Sequence, residues 1–294
     1  MTQRKGIILA GGSGTRLYPL TLSVSKQLLP IYDKPMIYYP LTVLMFIGIR
    51  DILIITTAED QAQFKRLLGD GSQWGISLCY EIQSNPEGLA QAFIIAEDFL
   101  AGASSAMVLG DNIFFGHGLP GVLTAADEQI SGATVFGYHV SDPERYGVLD
   151  FDADGNVKRI IEKPKVPPSS YAVTGLYFVD DTAPERAKSI VPSERGEFEI
   201  VSLLESYLQD GKMSVKKLGQ GYAWLDTGTH ASLLDASNFV RTLTERQGLQ
   251  VGSPDAVAFQ HKWISEQQIK TRSDKFGKNG YGKFLGNLSE EKMS

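Results

Sequence analysis

The sequence of 294 residues is poor in cysteine and has no excess of basic residues. Its single cysteine, Cys79, excludes an internal disulfide bond, which fits the reducing cytoplasm. Because Cys79 lies in the apolar segment at residues 76–80, we predict that it is a small buried side chain. The formal net charge of −6 and the lack of a basic stripe argue against binding to nucleic acid polymers. A small anionic substrate stays open, since a few local cations and a metal ion can reverse the sign of charge inside a cleft.

Long hydrophobic runs are absent as well. The N-terminal apolar run breaks into two glycines and is too short for a signal peptide. The best candidate for a membrane segment, residues 35–49, is interrupted by Pro40 and Gly48 and is shorter than the ~20 residues that a spanning helix needs. We therefore expect no membrane association and interpret this segment as a buried helix. Zinc is not expected either, because no metal-ligand spacing connects His117, His139, His230 and His261.

The first half of the chain alternates between short apolar segments and helical patterns. Several of the apolar segments are hydrophobic throughout, which is typical of a mostly parallel sheet covered on both faces. The sequence therefore predicts a mixed three-layer, Rossmann-like α/β core. The predicted strands lie at residues 6–10, 51–57, 76–82, 105–110 and 133–138, and the helices at 35–48, 59–68, 88–100 and 119–129.

The second half has a different pattern, which predicts an inserted lobe that shares the same sheet. Residues 147–152 and 157–161 form a hairpin around an Asp-Gly turn, followed by a proline-rich loop. Further elements are predicted at residues 172–179, 199–209, 213–218, 229–246 and 255–270, before a polar tail. We expect a core with its inserted lobe at residues 1–249 and a small helical C-terminal appendage at residues 250–294.

The strongest local signal is the segment Leu-Ala-Gly-Gly-Ser-Gly-Thr-Arg-Leu at residues 9–17, where the first strand runs into a glycine loop. Glycines let backbone N–H groups approach phosphate oxygens closely, and Arg16 adds a charged fork suited to phosphate. The segment is not a dinucleotide fingerprint, because Leu17 stands at the third glycine position, and it is not a P-loop, because no Gly-Lys-Ser or Gly-Lys-Thr follows. An ordinary tight turn is the alternative for the glycines, and a solvated side chain is the alternative for the nearby Lys26.

Several acidic and aromatic residues are weaker candidates. Asp111 closes an apolar strand, and Asp226 lies in a segment that we interpret as a glycine-rich turn. Each aspartate could be a turn former, but two carboxylates are also enough to bind Mg²⁺ together with phosphates and water. Glu162 and Lys163 end a predicted strand and could be a solvated pair. Trp224 could belong either to the core or to a cleft.

Taken together, the motifs of this chain resemble those of the sugar-1-phosphate nucleotidyltransferases. The resemblance begins with residues 9–17 and continues, in order, over essentially the whole chain. Its other parts are Pro-Leu-Thr at 19–21, Lys-Gln-Leu-Leu-Pro at 26–30, Lys-Pro-Met at 34–36, Gln-Ser-Asn-Pro-Glu-Gly-Leu-Ala-Gln-Ala at 83–92, Leu-Gly-Asp-Asn at 109–112, Tyr-Gly-Val at 146–148, Ile-Glu-Lys-Pro at 161–164, Val-Thr-Gly-Leu-Tyr at 173–177 and Trp-Leu-Asp-Thr-Gly-Thr-His at 224–230.

The resemblance implies a set of roles for individual residues. Arg16, Lys26 and Lys163 would be catalytic, Gln27 and Gln83 would read the pyrimidine edge, and Asp111 and Asp226 would hold Mg²⁺. The implied nucleotide-binding residues are Leu9, Gly11, Gly12, Ser13, Gly14, Thr15, Arg16, Lys26, Gln27, Gln83, Pro86, Gly88 and Asp111. The implied sugar-phosphate residues, in the inserted lobe and beside it, are Leu89, Asn112, Tyr146, Gly147, Glu162, Lys163, Val173, Tyr177 and Trp224.

The resemblance also implies a reaction. dTTP and glucose 1-phosphate would give dTDP-glucose and pyrophosphate, as the first step towards dTDP-rhamnose, in a homotetrameric enzyme. One alternative is a related enzyme that uses UTP or another sugar phosphate, because thymine and uracil differ by one methyl group, which a pocket discriminates only modestly. The other alternative is a non-catalytic binding or regulatory protein on the same fold.

Overall fold

The computed structural model describes residues 4–12, 14–277 and 279–290, and in these residues nine strands form one mixed β-sheet. Two small two-stranded sheets lie beside it. The strands are β1 (Lys5–Ala10), β2 (Pro30–Ile31), β3 (Lys34–Pro35), β4 (Asp51–Thr56), β5 (Ser77–Ile82), β6 (Ser105–Leu109), β7 (Asn112–Gly116), β8 (Ala133–His139), β9 (Gly147–Phe151), β10 (Val157–Glu162), β11 (Tyr171–Val179), β12 (Met213–Leu218) and β13 (Tyr222–Asp226).

The helices cover the sheet and extend to the C-terminal end of the described chain. They are α1 (Tyr38–Phe46), α2 (Gln61–Leu68), α3 (Gln91–Ile95), α4 (Glu97–Leu100), α5 (Leu119–Asp127), α6 (Ala183–Lys188), α7 (Ile200–Gln209), α8 (His230–Gln247), α9 (Pro254–Gln260), α10 (Glu266–Phe276) and α11 (Gly280–Glu290). Among the residues described, no helix has the length and apolar character needed to cross a membrane.

The centre of the main sheet is parallel, and its flank is antiparallel. Strands β5, β4, β1 and β6 run parallel in that order, and β11 lies antiparallel between β6 and β8. Strand β12 pairs with β8, while the β9–β10 hairpin joins the sheet at Ala172 of β11. Because Leu9 pairs with both Ile55 and Leu109, the parallel strands end at one common edge, which is where ligands of open α/β sheets bind.

Both faces of the central strands are buried, which explains their continuous apolar sequence. Along β1, Ile8 packs into a core cluster with residues of α1, whereas Ile7 and Leu9 pack into a second cluster with residues of α7. Successive side chains of a strand point to opposite faces, so each face needs its own layer of helices. The predicted three-layer α/β architecture is confirmed.

Some elements differ from the sequence-based prediction. Strands β7 and β13 and helix α6 are not among the predicted elements, and Asp226 is the last residue of β13 rather than part of a turn. The predicted helix at residues 88–100 begins only at Gln91, because Gly88 has a left-handed backbone with φ of 106°. The predicted helix at residues 255–270 is two helices, since Lys262 with φ of 59° breaks it. The supposed polar tail contains α11.

The predicted burial of Cys79 is wrong. Its strand, β5, is the last strand of the parallel region, so one face of β5 packs on the core while the other faces solvent. Leu78 takes the core side and is 6% exposed, and the neighbouring Cys79 is therefore on the exposed side. An apolar segment of five residues does not reveal that its strand lies at the end of a sheet.

The three C-terminal helices are joined by a buried carboxylate. Asp255 in α9 is fully buried and forms an ion pair with Arg272 of α10. It also accepts a hydrogen bond of 2.8 Å from the Tyr281 hydroxyl of α11, which in turn contacts Ser253 at 2.7 Å. Apolar residues of these helices belong to the core cluster that contains Ile8. The division of the chain at residue 250 stays a prediction.

We predict that Arg272→Met strongly destabilises the protein. The substitution leaves the Asp255 carboxylate buried without its charged partner, which typically costs about 3–5 kcal/mol. The free energy of unfolding in urea measures this loss. Arg241→Met is the matched control, because the Arg241–Glu245 pair on α8 is exposed and its removal should change stability little. Equal stability of the two variants would contradict the role given to Asp255.

Candidate active site

The loop after β1 lines a cavity of about 370 Å³ at the common edge of the parallel strands. The Thr21 hydroxyl donates a hydrogen bond of 2.7 Å to the Gly14 carbonyl and so fixes the loop against the segment that follows it. Ser13 lies outside the described residues. The cavity is lined by Gly11, Gly12, Gly14, Thr15, Arg16, Leu17, Lys26, Gln27, Pro86, Asp111, Glu197 and Gly228.

A second cavity of about 430 Å³ adjoins the first, and the two share Arg16 and Asp111. Its lining combines apolar side chains with charged ones. It is lined by Arg16, Leu89, Leu109, Asp111, Asn112, Arg145, Tyr146, Gly147, Glu162, Lys163, Val173, Gly175, Tyr177, Ile200, Val201, Leu204, Trp224 and Asp226. The predicted nucleotide and sugar-phosphate residues thus fall largely into two neighbouring cavities.

Asp111 is held at the boundary of the two cavities by charged and amide partners. Its Oδ2 is 2.6 Å from Nζ of the buried Lys26, and its Oδ1 accepts a hydrogen bond of 2.7 Å from the Asn112 amide. Burial alone would raise the pKa of Asp111, but the charge and hydrogen bond of Lys26, together with the Asn112 amide, lower it below its ordinary value. The Asp111 carboxylate is therefore ionised at neutral pH.

Asp226 reaches the same place from the small β7–β13 sheet, where it pairs in register with Asn112. Its Oδ1 accepts a hydrogen bond of 3.2 Å from the Tyr146 hydroxyl, and its Oδ2 lies 3.4 Å from Arg145. Burial raises the pKa of Asp226, and the charge of Asp111 adds to this rise against the opposing effects of Arg145 and Tyr146. The two predicted metal ligands are thus close enough for their charges to interact.

The pairing of β13 with β7 positions Trp224 on the lining of the second cavity. The Asn112 Oδ1 atom accepts hydrogen bonds from Trp224 Nε1 at 2.6 Å and from the Gly175 backbone N–H at 3.2 Å. Trp224 is only 7% exposed, yet it lines the cavity, and its ring lies 5.2 Å from that of Tyr146. Trp224 is therefore both a core residue and a cleft residue, so the two interpretations made from the sequence are compatible.

Lys163 faces the second cavity from the end of β10. Its N–H donates a hydrogen bond of 2.9 Å to the Tyr146 carbonyl, and its Nζ lies 3.1 Å from Oε1 of Glu162. Glu162 pairs in register with Gly147 of β9, so the end of the hairpin away from its turn places Glu162 and Lys163 at the cavity. Tyr177 lies beneath them, and burial raises the pKa of its hydroxyl.

Two glutamines lie close to the glycine loop. Gln27 lines the cavity and is 6% exposed, and its Oε1 accepts a hydrogen bond of 2.8 Å from the Ser25 hydroxyl. Gln83 is 4% exposed and does not line the cavity, but its Oε1 lies against Gly11, which does. Both side-chain amides are therefore ordered next to the glycine loop.

Three predicted residues do not line either cavity. Besides Gln83 these are Leu9, whose side chain belongs to the core, and Gly88. Gly88 has room for no Cβ atom, which would collide with the carbonyl oxygen of Phe198. That carbonyl accepts a hydrogen bond of 3.0 Å from the Ala90 N–H, so Gly88 lets the segment around residue 198 pack on the loop after β5.

Sequence reasoning missed several charged residues at the cavities. Arg145 lines the second cavity and Glu197 the first. Arg195 lies 3.6 Å from the same Glu162 oxygen that Lys163 approaches, and 2.8 Å from Glu199. Only the position of Arg145 directly before the Tyr-Gly-Val motif could have indicated it. Residues 194–197 form a charged loop that is typical of a solvated turn, and nothing in their sequence shows what they approach.

The charges that line the two cavities are balanced. Four cationic side chains, Arg16, Lys26, Arg145 and Lys163, face four carboxylates, Asp111, Glu162, Glu197 and Asp226. In the described part of the chain, no group of three or more His, Cys, Asp or Glu residues could hold a metal ion. Asp111 and Asp226 could nevertheless supply two hard oxygen donors to Mg²⁺, with phosphates and water completing its coordination.

Comparison with solved structures agrees with this fold. A chain from Bacillus anthracis, described as a glucose-1-phosphate thymidylyltransferase in complex with a sucrose, is 41% identical, with a TM-score of 0.75 over 81% of this chain and 95% of that chain. A UDP-glucose pyrophosphorylase complexed with UDP-glucose has a TM-score of 0.72 over 81% of this chain and 98% of that chain. At 23% identity, the second likeness shows the fold alone.

Comparison of sequences is more specific. Residues 5–242 match the family model described as nucleotidyl transferase. A glucose-1-phosphate thymidylyltransferase of Xanthomonas campestris pv. campestris is 59% identical over 99% of this chain and 98% of its own length. A relative of the same name from Neisseria gonorrhoeae is 55% identical over 97% of this chain and 99% of its own length. The predicted resemblance is confirmed, and the chain belongs to the nucleotidyl transferase family of enzymes, among relatives named glucose-1-phosphate thymidylyltransferase.

Proposed function

We propose that this enzyme converts dTTP and glucose 1-phosphate into dTDP-glucose and pyrophosphate. The observation that carries the proposal is the pair of cavities that meet at Arg16 and Asp111. One cavity has a glycine loop suited to a triphosphate, and the other is lined by apolar side chains together with charged ones, which suits a sugar phosphate. The names of the similar proteins support the same pair of substrates.

The chemistry requires little covalent work from the protein. An oxygen of the sugar phosphate forms a bond to the α-phosphorus of dTTP, while the bond to the departing pyrophosphate breaks in line with it. Both reactants are anions, so the protein must hold them together and neutralise their charge. No side chain acts as a nucleophile in this scheme.

We assign the cations to the two substrates from the cavities that they line, and we place Arg16, which lines both, with Lys26 on the triphosphate side. Arg16 and Lys26 would bind the triphosphate, and Lys163 would bind the phosphate of the sugar. Arg195 joins Lys163 as a further cation on that side, because both approach Glu162. Tyr146, Val173 and Trp224 would form the surface on which the sugar lies. Gln27 and Gln83 would read the edge of the pyrimidine.

We further propose that Asp111 and Asp226 hold one Mg²⁺ ion. The charges that line the cavities favour a bound cation. The four cationic side chains are already balanced by four carboxylates, so two bound polyanions would leave an excess of negative charge. When bound, the metal would neutralise part of the triphosphate charge. Lys26 keeps the Asp111 carboxylate ionised, and Tyr146 and Arg145 orient that of Asp226.

The cellular setting is part of the same proposal. dTDP-glucose would be made in the cytoplasm as the first step towards dTDP-rhamnose and the lipopolysaccharides or O-antigens that contain it. A homotetramer is proposed from the family resemblance.

The substrates can be tested by measuring pyrophosphate release over a grid of nucleotides and sugar phosphates. We expect the highest kcat/KM with dTTP and glucose 1-phosphate. UTP should be used less well, by roughly 10-fold, since one methyl group in an apolar pocket contributes about 1–3 kcal/mol. A higher kcat/KM with UTP would favour a uridylyltransferase, and no release from any pair would favour a non-catalytic protein.

We predict that Asp111→Asn and Asp226→Asn each reduce kcat greatly without unfolding the protein. The substitutions remove a charge but little volume, and residues that act as a unit give non-additive losses. The double variant should therefore be little worse than the poorer single variant. Calorimetric titration of Mg²⁺ in the presence of dTTP should show weaker binding in each variant. Asp210→Asn, which removes a surface partner of Arg186, is the control. Near-normal turnover of the first two variants would overturn the metal assignment.

We predict that Lys163→Ala weakens the binding of glucose 1-phosphate far more than that of dTTP. A charged hydrogen bond to phosphate contributes about 1.5–3 kcal/mol, so the dissociation constant of glucose 1-phosphate should rise roughly 10- to 100-fold. Lys165→Ala is the matched control, because Lys165 is exposed and lines neither cavity. Equal losses for both ligands would contradict the assignment of Lys163 to the sugar phosphate.

A further inference from the structure

Three polar side chains near the glycine loop, Gln83, Gln91 and Glu87, are connected by hydrogen bonds and form a relay. Gln83 Nε2 donates a hydrogen bond of 2.6 Å to Gln91 Oε1. Gln91 Nε2 in turn donates one of 2.8 Å to the carboxylate of Glu87. Gln91 is the first residue of α3, and Glu87 lies in the loop before it. Neither Gln91 nor Glu87 lines the two cavities, so the proposed reaction gives them no direct task.

The carboxylate of Glu87 determines which group donates and which accepts in each hydrogen bond of this relay. An ionised carboxylate can only accept, so Gln91 must turn its NH₂ group towards Glu87. The backbone N–H of Glu87 reinforces this, because it donates to Gln91 Oε1 at 3.3 Å. Gln91 therefore presents its carbonyl oxygen to Gln83, and Gln83 donates a hydrogen bond to it from its NH₂ group. The Gly88 carbonyl, 3.4 Å from Gln83 Nε2, is a second acceptor on that side.

The amide of Gln83 is thereby left with its carbonyl oxygen free. Among the residues that the structure describes, no donor pairs with Gln83 Oε1. The atom lies beside Gly11, where an added Cβ would be only 2.6 Å from it. Gln83 thus offers a fixed acceptor next to the glycine loop, rather than an amide that could rotate to present either group.

We propose that Glu87 and Gln91 are positioning residues that make Gln83 selective for a base with an imide N–H group. The proposal rests on the proposed function and deepens it. Thymine and uracil carry a hydrogen on N3 and can donate to Gln83 Oε1. Cytosine has an unprotonated N3, which is an acceptor, so two acceptors would face each other. The relay therefore excludes cytidine nucleotides and leaves the choice between thymine and uracil to other contacts.

The test replaces the acceptor-only carboxylate of Glu87 with an amide of the same size, so that the hydrogen bonds of the relay are no longer restricted to one direction. In Glu87→Gln the new amide can accept or donate, so Gln91 and Gln83 are free to turn over. Gln83 could then donate to N3 of cytosine. We expect the ratio of kcat/KM for dTTP over dCTP to fall about tenfold, the change that one hydrogen bond to the base supplies. The KM for glucose 1-phosphate should stay unchanged.

The double variant Glu87→Gln/Gln91→Glu should restore the ratio. It moves the acceptor-only carboxylate from position 87 to position 91, where it accepts from the Gln83 NH₂ group directly. The amide introduced at position 87 can then donate to this carboxylate, and the net charge of the double variant equals that of the wild type. A purely structural role for Glu87 would not predict such a rescue by exchange of the two side chains.

Two further variants complete the experiment. Glu97→Gln is the matched control, since Glu97 pairs with Lys188 at 2.6 Å on the surface, and it should leave the ratio unchanged. Gln91→Met breaks the relay without adding charge and should also lower the ratio, which keeps the test open if Glu87→Gln does not fold. Folding is checked by the thermal midpoint of each variant.

The outcomes separate this inference from the proposed function. If the wild type releases pyrophosphate from dTTP but Glu87→Gln and Gln91→Met keep the full preference over dCTP, the relay is overturned and the function stands. Loss of the preference that the double variant fails to restore would also overturn it. If the wild type releases no pyrophosphate from dTTP and glucose 1-phosphate, the proposed function itself fails.

Discussion

The ion pair between Lys26 and Asp111 is the interaction on which the site depends most. Lys26 is 7% exposed, and a buried ammonium group is tolerated only with a charged partner. It belongs to the short 3-10 helix at Lys26–Leu28, and Asp111 follows the end of β6, so the pair connects the segment after the glycine loop to the sheet. The Ile37 N–H donates to the Gln27 carbonyl at 2.8 Å and holds this segment from the other side. Asp111, at the boundary between the two cavities, is therefore held to the segment after the glycine loop.

This arrangement also explains how an acidic protein can accept two anions. The net charge of −6 belongs to the whole chain, whereas the cavities carry equal numbers of positive and negative side chains. Each carboxylate at the boundary is held by a hydrogen-bond donor, Asp111 by Lys26 and Asn112, and Asp226 by Tyr146. The field at the site is thus set by local pairs and not by the net charge.

The parts of the molecule that the sequence predicts well are those with a local cause. The β1, β4 and β6 strands are apolar because both of their faces are buried. The glycine loop directly follows β1 and therefore lies at the edge where the parallel strands end. The predicted burial of Cys79 is wrong because exposure depends on the place of β5 in the sheet. The sequence does not reveal that Asp226 ends a strand, because the five residues of β13 pair with β7, more than a hundred positions earlier in the chain. Arg195 reaches Glu162 through a loop whose packing on residues 87–90 has no sequence pattern.

The backbone of Lys163 gives an independent reason to connect this residue with function. It has φ of 42°, in the left-handed region, although it is not a glycine and although Pro164 follows it. Such a conformation costs about 1–3 kcal/mol and persists only where the surroundings impose it. Here the hydrogen bond from its N–H to the Tyr146 carbonyl does so, and it ends the hairpin at the cavity. Glycine would adopt this conformation without strain, so stability alone does not account for a lysine at this position. The proposed contact of this side chain with the sugar phosphate would account for it, because the turn at residue 163 places Lys163 on the lining of the second cavity.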